Sequence, residues 1–179
     1  MACAFAQDPS EPPPPPPLRG DAASLKDTMK FLQDKISGKV DFMVYKHDNI
    51  ANTDATFKTS NEISNVTANV DVDQCHIYGH SKRIINGEVK NDQDFSDDLK
   101  QVRDVVVILY DQVISRGYAK KGQPEVTFKT DPLIFDVQAS GENGGNFGWL
   151  FYEESLANRV AAALQHGVDL CGGGNKEPF

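Results

Sequence analysis

The chain has 179 residues, a formal net charge of −8 and a pI near 4.9, a balance that opposes any partner held through neutralised phosphates. Its adjacent basic pairs are Lys82-Arg83 and Lys120-Lys121, far short of the cluster of about four to eight cations that reads an anionic membrane. No stretch approaches the ~18 consecutive apolar residues of a membrane span, so neither nucleic acid nor a membrane span is expected.

The first residues end in Ala4-Phe5-Ala6, a small-x-small cleavage signature that reads as the end of a signal peptide over residues 1–6 and predicts export to a periplasmic or extracellular space. The same short apolar start also fits an uncleaved terminus, and Cys3 leaves lipidation open. Residues 7–23 follow as a linker. Pro12 to Pro17 are six consecutive prolines, which favour polyproline II and join neither ladder nor helix interior.

Residues 24–171 read as a single globular domain. A length of ~150 residues hides roughly 70% of the unfolded chain's surface without metal or dense cross-linking. Ser24 and Asp27 have capping-box spacing, and Leu25, Met29, Leu32 and Ile36 share one helical face. The spacing predicts a helix over 25–37 that stops at Gly38.

From Val40 the period becomes two, the mark of half-buried strands. Val40, Phe42 and Val44 share a face, and a turn-rich stretch from His47 to Asp54 follows. Val66, Ala68, Val70 and Val72 then alternate with polar residues. The strand from Cys75 to Ile85 ends at Asn86-Gly87, a strong hairpin signal. A polar turn over the acidic residues before Leu99 leads to Val105–Leu109, whose continuous β-branched run predicts a central strand. Alternation returns at Val126 and Phe128, then at Leu133, Phe135 and Val137, and in Phe147, Trp149 and Phe151. Leu156, Val160, Ala163, Leu164, Gly167 and Cys171 recur at helical spacing and predict a closing helix over 153–170. Residues 172–179 read as a flexible tail.

The pattern predicts an α+β fold: an antiparallel sheet or partly closed barrel with an N-terminal helix and a C-terminal capping helix. The strand order, the short polar turn at Ser96 to Lys100, and the aromatic strand feeding a final helix resemble the pleckstrin-homology-like barrel. The ending Phe151-Tyr152-Glu153-Glu154 through Ala157-Asn158-Arg159-Val160-Ala161 to Leu170-Cys171-Gly172-Gly173 resembles uncharacterised exported bacterial proteins. That resemblance implies a fold and no activity. Phosphoinositide binding, which the barrel evokes, needs basic residues in the first hairpin loop; His47 to Thr59 offers only Lys58 beside Asp48 and Asp54.

If cleavage follows Ala6, Cys75 and Cys171 remain as a pair, read as a disulfide closing most of the domain, with two buried thiols as the other reading. His76 and His80 have zinc-site spacing on a helix, but on a strand their Cα atoms lie about 13 Å apart, and surface histidines explain them better. His47-Asp48 is a poor acid–base pair because neighbours on a strand face opposite ways. Asp92, Asp94, Ser96, Asp97 and Asp98 suggest a calcium loop, yet Asp97 and Arg103 stand where an EF-hand needs Gly and Glu. Gly141, Gly144, Gly145 and Gly148 lack the helix N-terminus and Lys of a phosphate cradle.

No catalytic constellation and no cofactor site emerges. The residues favour a non-enzymatic exported binding or scaffold domain, with a protein as the partner class left open. The alternative is a metal-assisted hydrolase using His47, His76 or His80.

Overall fold

A computed structural model describes residues 23–48, 59–122, 126–141 and 146–174. The residues read above as a signal-peptide end and a linker, with Cys3 and Pro12 to Pro17, most of the stretch expected as a turn after His47, Gly144 and Gly145, and residues 175–179 lie outside them. Among the described residues three α-helices and eight strands run in the order α1 (Leu25–Ile36), β1 (Gly38–Asp48), β2 (Thr59–Asp71), β3 (His76–Ile85), β4 (Glu88–Asp98), β5 (Val102–Leu109), α2 (Tyr110–Lys120), β6 (Val126–Asp131), β7 (Phe135–Gly141), β8 (Asn146–Phe151) and α3 (Glu154–Leu170).

The capping box forms at the start of α1. The Asp27 N–H donates to Ser24 Oγ at 3.2 Å, and the Ser24 hydroxyl donates to the Asp27 carboxylate at 2.6 Å, which serves donors the helix leaves unpaired. At the far end the Ser37 hydroxyl donates to Gln33 O and accepts from the Ala68 N–H. Met29, Leu32 and Ile36 are buried, so the predicted stripe is the packed face.

The strands form two antiparallel sheets, not one: a five-stranded sheet in the order β4-β3-β2-β1-β6 and a three-stranded sheet in the order β5-β7-β8. Among the described residues no barrel closes, because each sheet keeps two edges. The division follows from α2, which carries the chain out of the small sheet and delivers β6 to the far edge of the large one. The 110–120 segment, for which no element is expected from the sequence alone, forms this helix. Tyr110, Val113, Ile114, Gly117 and Tyr118 do fall at helical spacing, but the helix lacks a side-chain cap, and Gly117 with two β-branched residues lowers its propensity.

Three further expectations are corrected. Val102–Leu109 is an edge strand, with β7 in the middle of its sheet, and Val106 is accordingly 39% exposed. The acidic segment before Leu99 is strand β4, because its backbone pairs with β3 from Glu88 to Asp98; the turn shrinks to the 3-10 segment Leu99–Gln101. Leu133 is exposed beside the cis Asp131-Pro132 bond, and Ile134 is buried in its place.

The Asn86-Gly87 hairpin has φ of 52° and 81°, the left-handed pair that a type I′ turn requires. Two apolar clusters hold the layers together. The larger joins α1 and α3 to Ile77, Leu99, Val102, Val137, Ala139, Trp149 and Phe151. The smaller gathers Phe42, Val44 and Ile134, with Tyr110, Ile114, Phe128 and Leu150 packed on it. Val160 and Leu164 are fully buried, so α3 closes one face of the small sheet as predicted, but it packs on α1 rather than across the large sheet. The fold also continues past residue 171. The Gly173 N–H donates to Val168 O at 2.9 Å, the Gly174 N–H donates to Val102 O at 2.8 Å, and Arg103 Nη1 donates to Gly174 O at 2.5 Å. Gly172 to Gly174 are therefore part of the fold, not of the tail. No helix among the described residues is long and apolar enough to cross a membrane.

Candidate functional site: a cleft between the two sheets

The alternation of β3 sends its side chains to two environments. Tyr78, His80 and Lys82 face outward with His76, whereas Ile77, Gly79, Ser81 and Arg83 face the small sheet, since Ile77 stands opposite Val70 and Gly79 opposite Ala68. Arg83 pairs in register with Asn91 of β4, and both line a cleft of about 660 Å³ between the sheets, a volume in the usual range for ligand sites.

The other wall comes from β7, β8 and the start of α2. Asp136 and Gln138 alternate with Val137 and Ala139, so the apolar pair enters the larger core while the polar pair faces the cleft. Asp136 is 5% exposed, and burial pushes its carboxyl up to about 6, against a hydrogen bond from Gln138 Nε2 at 2.8 Å that favours the ionised form. Gly148 lets β8 lie close over this carboxylate: a Cβ there would fall 2.7 Å from Asp136 Oδ1 and 2.8 Å from Val137 O.

Burial also raises the Tyr110 phenol above its ordinary range; the Arg83 charge opposes that shift and Asp136 adds to it. Guanidinium, phenol and carboxylate thus act on one another across the cleft. Arg83 Nε is enclosed without a hydrogen-bond partner, and an unserved buried donor costs on the order of 1–3 kcal/mol. One end of the cleft is tied by Tyr152, whose hydroxyl bonds the backbone of Asp41.

The histidines singled out from sequence lie elsewhere. His80 Nε2 lies 2.5 Å from Asp92 and its Nδ1 lies 2.8 Å from Asp94, on the outer face of the large sheet. These two hydrogen bonds, the Asp94 one foremost, raise the His80 pKa, and His80 in turn lowers that of Asp92, which also pairs with Lys82 at 3.4 Å. His76 approaches a different carboxylate, Asp98, at 3.8 Å. His47 sits on β1, with β2 between it and β3. The structure does not bring the three together, and no group of three or more His, Cys, Asp or Glu among the described residues is arranged to hold a metal ion. Asp92, Asp94 and Asp98 share one face of an extended strand, and Asp97 turns to the other beside Phe95. Burial pushes Asp97 up to about 7.

Cys75 and Cys171 meet at disulfide distance, with Cα atoms 6.0 Å apart across a sequence separation of 96. Cys75 adopts a left-handed φ of 63°, in the turn that brings it below α3.

Sequence reasoning missed Arg83, Tyr110, Asp136 and Gln138. The signal for Asp136 is its position inside Ile134-Phe135-Asp136-Val137, where a carboxylate interrupts a strand buried on both faces. Compared with family models, curated proteins and solved structures, the chain matches none.

Proposed function

We propose that this chain is an exported binding domain whose inter-sheet cleft receives a ligand bearing an anionic group, with Arg83 and Tyr110 as donors and Asp136 with Gln138 orienting the remainder. The observation that carries this reading is the enclosed, unpartnered Arg83 Nε beside two polar groups of perturbed pKa. A buried donor gains most from a ligand acceptor, because the cost of leaving it unserved disappears on binding. Export is supported by the cysteine pair at disulfide distance and by the Ala4-Phe5-Ala6 signature; the proline run then serves as a spacer that holds the domain away from its attachment. The resemblance to uncharacterised exported bacterial proteins belongs to the same proposal and rests on the ending from Phe151 to Gly173, whereas the pleckstrin-homology-like reading rests on the strand order and the aromatic strand that feeds the final helix.

Thermal unfolding of the full chain with inorganic phosphate, succinate, glutarate and an acetylated tripeptide with a free C-terminus tests it. At least one of these stabilises the wild type, by about 2.7 kcal/mol at a hundredfold excess over Kd, and leaves Arg83→Met unmoved. Equal stabilisation of both proteins, or none of either, overturns the reading.

A further inference from the structure

The molecule treats its sheet edges unequally. β4, at one edge of the large sheet, carries Glu88, Lys90, Asp92, Asp94, Asp97 and Asp98, the charge that keeps an edge from pairing. β6, at the other, is packed by α2. β5 bears Arg103 and Asp104. β8 reads Asn-Phe-Gly-Trp-Leu-Phe, with neither a charge nor a proline. Among the described residues it ladders with β7 alone, and no backbone hydrogen bond serves its other edge. All of β8 lines the cleft.

We propose that the occupant of the cleft is an extended peptide segment that adds a strand to the open edge of β8 and sets an acidic side chain against Arg83. This rests on the cleft being the binding site, and it names the ligand class. A strand spaced at about 4.8 Å from β8 gives the free N–H and C=O groups of that edge their missing partners. The cleft is lined on its other side by Lys35 to Val40. Charge selects the side chain. The chain as a whole stands at −8, yet the cleft lining sets Lys35, Lys39 and Arg83 against Glu153 and Asp136; Lys39 is paired with Asp41 at 3.2 Å, so Lys35 and Arg83 carry the local positive charge, Arg83 with an Nε that no acceptor serves.

The test uses the full chain and a set of end-blocked peptides of about eight residues, long enough to span β8, alternating Val, Ile or Thr with Ser and carrying one central Glu. Amide hydrogen exchange is followed by NMR. Binding is expected to protect every second β8 amide, those facing away from β7. N-methylation of alternate peptide amides is expected to weaken binding at least about tenfold, through several lost hydrogen bonds, and exchange of Glu for Gln to weaken it against wild type but not against Arg83→Met. Peptide binding without β8 protection overturns strand addition, as does failure of every peptide; in either case stabilisation by small carboxylates still stands or falls separately and decides the cleft. β8 amides protected in the free protein, together with concentration-dependent dimerisation in sedimentation, overturn it in favour of a second copy of this chain.

Discussion

The Tyr152 hydroxyl holds both backbone groups of Asp41: it accepts from the Asp41 N–H at 2.6 Å and donates to the Asp41 carbonyl at 3.1 Å. Tyr152 follows β8 and Asp41 lies in β1, so one phenol joins the two sheets where no strand does. Both groups are solvent-exposed, which lets water replace the lost bonds in part. Tyr152→Phe is therefore expected to cost about 1 kcal/mol in urea unfolding and to alter ligand affinity at the cleft more than stability. A variant indistinguishable from wild type in both would show that the tie holds nothing.

The Cys75–Cys171 link joins the turn before β3 to the end of α3. By the chain-entropy argument a loop of this length stabilises by about 4–5 kcal/mol. Denaturant midpoints with and without reductant are expected to differ by that order, and alkylation before reduction should add one alkyl group to the full chain, at Cys3. Mass gained by three alkyl groups without reductant would show that Cys75 and Cys171 are free thiols.

Legibility in the sequence followed the periodic signals. α1, with its capping residue Ser24, α3, the Asn86-Gly87 hairpin and the alternating faces of β1, β2 and β8 were all readable because each rests on local chemistry. α2 was not, since Gly117 and the missing cap hid a short amphipathic segment behind β5. The division into two sheets was hidden as well: which strand lies beside β1 depends on long-range pairing, and Val126–Asp131 carries no mark of it. The same limit hid the site. Arg83 appears in sequence as one of two adjacent cations, and only the register of β3 turns it inward while Lys82 faces water.

Gly148 is where β8 presses on the Asp136 carboxylate. A methyl group at this position meets Asp136 Oδ1 and the Val137 carbonyl, both well inside ordinary contact distance. Overpacking of this kind costs about 1–3 kcal/mol. Gly148→Ala is expected to lower stability by that order and to weaken ligand binding, because the carboxylate must shift. Full stability with unchanged binding would mean that β8 can slide away from β7 without loss.

Stability should fall as pH rises through the weakly acidic range. Asp136 and Asp97 have folded pKa values raised to about 6 and about 7 from 3.8. Between the unfolded and folded values the native state binds more protons, so stability declines from about pH 4 to about pH 8 and then levels. His80 works in the same direction: its folded pKa is raised, so its contribution is complete below 6.5 and is lost as pH climbs through the folded value. Glu88 and Asp92, both lowered by cationic neighbours, oppose this only in more acidic solution, where their contribution is lost as they protonate. Unfolding free energies measured from pH 4 to pH 8 should therefore be highest at the acidic end of that range, near pH 4. Asp136→Asn should remove on the order of 2–3 kcal/mol of the decline, and Asp97→Asn a comparable part that extends to higher pH, since its folded value stands at about 7. His80→Gln should flatten the profile above about pH 6 alone. A wild-type profile that rises towards pH 8, or three variants that keep its slope, would mean that these groups meet water in the native state and that the cleft carboxylate is not enclosed.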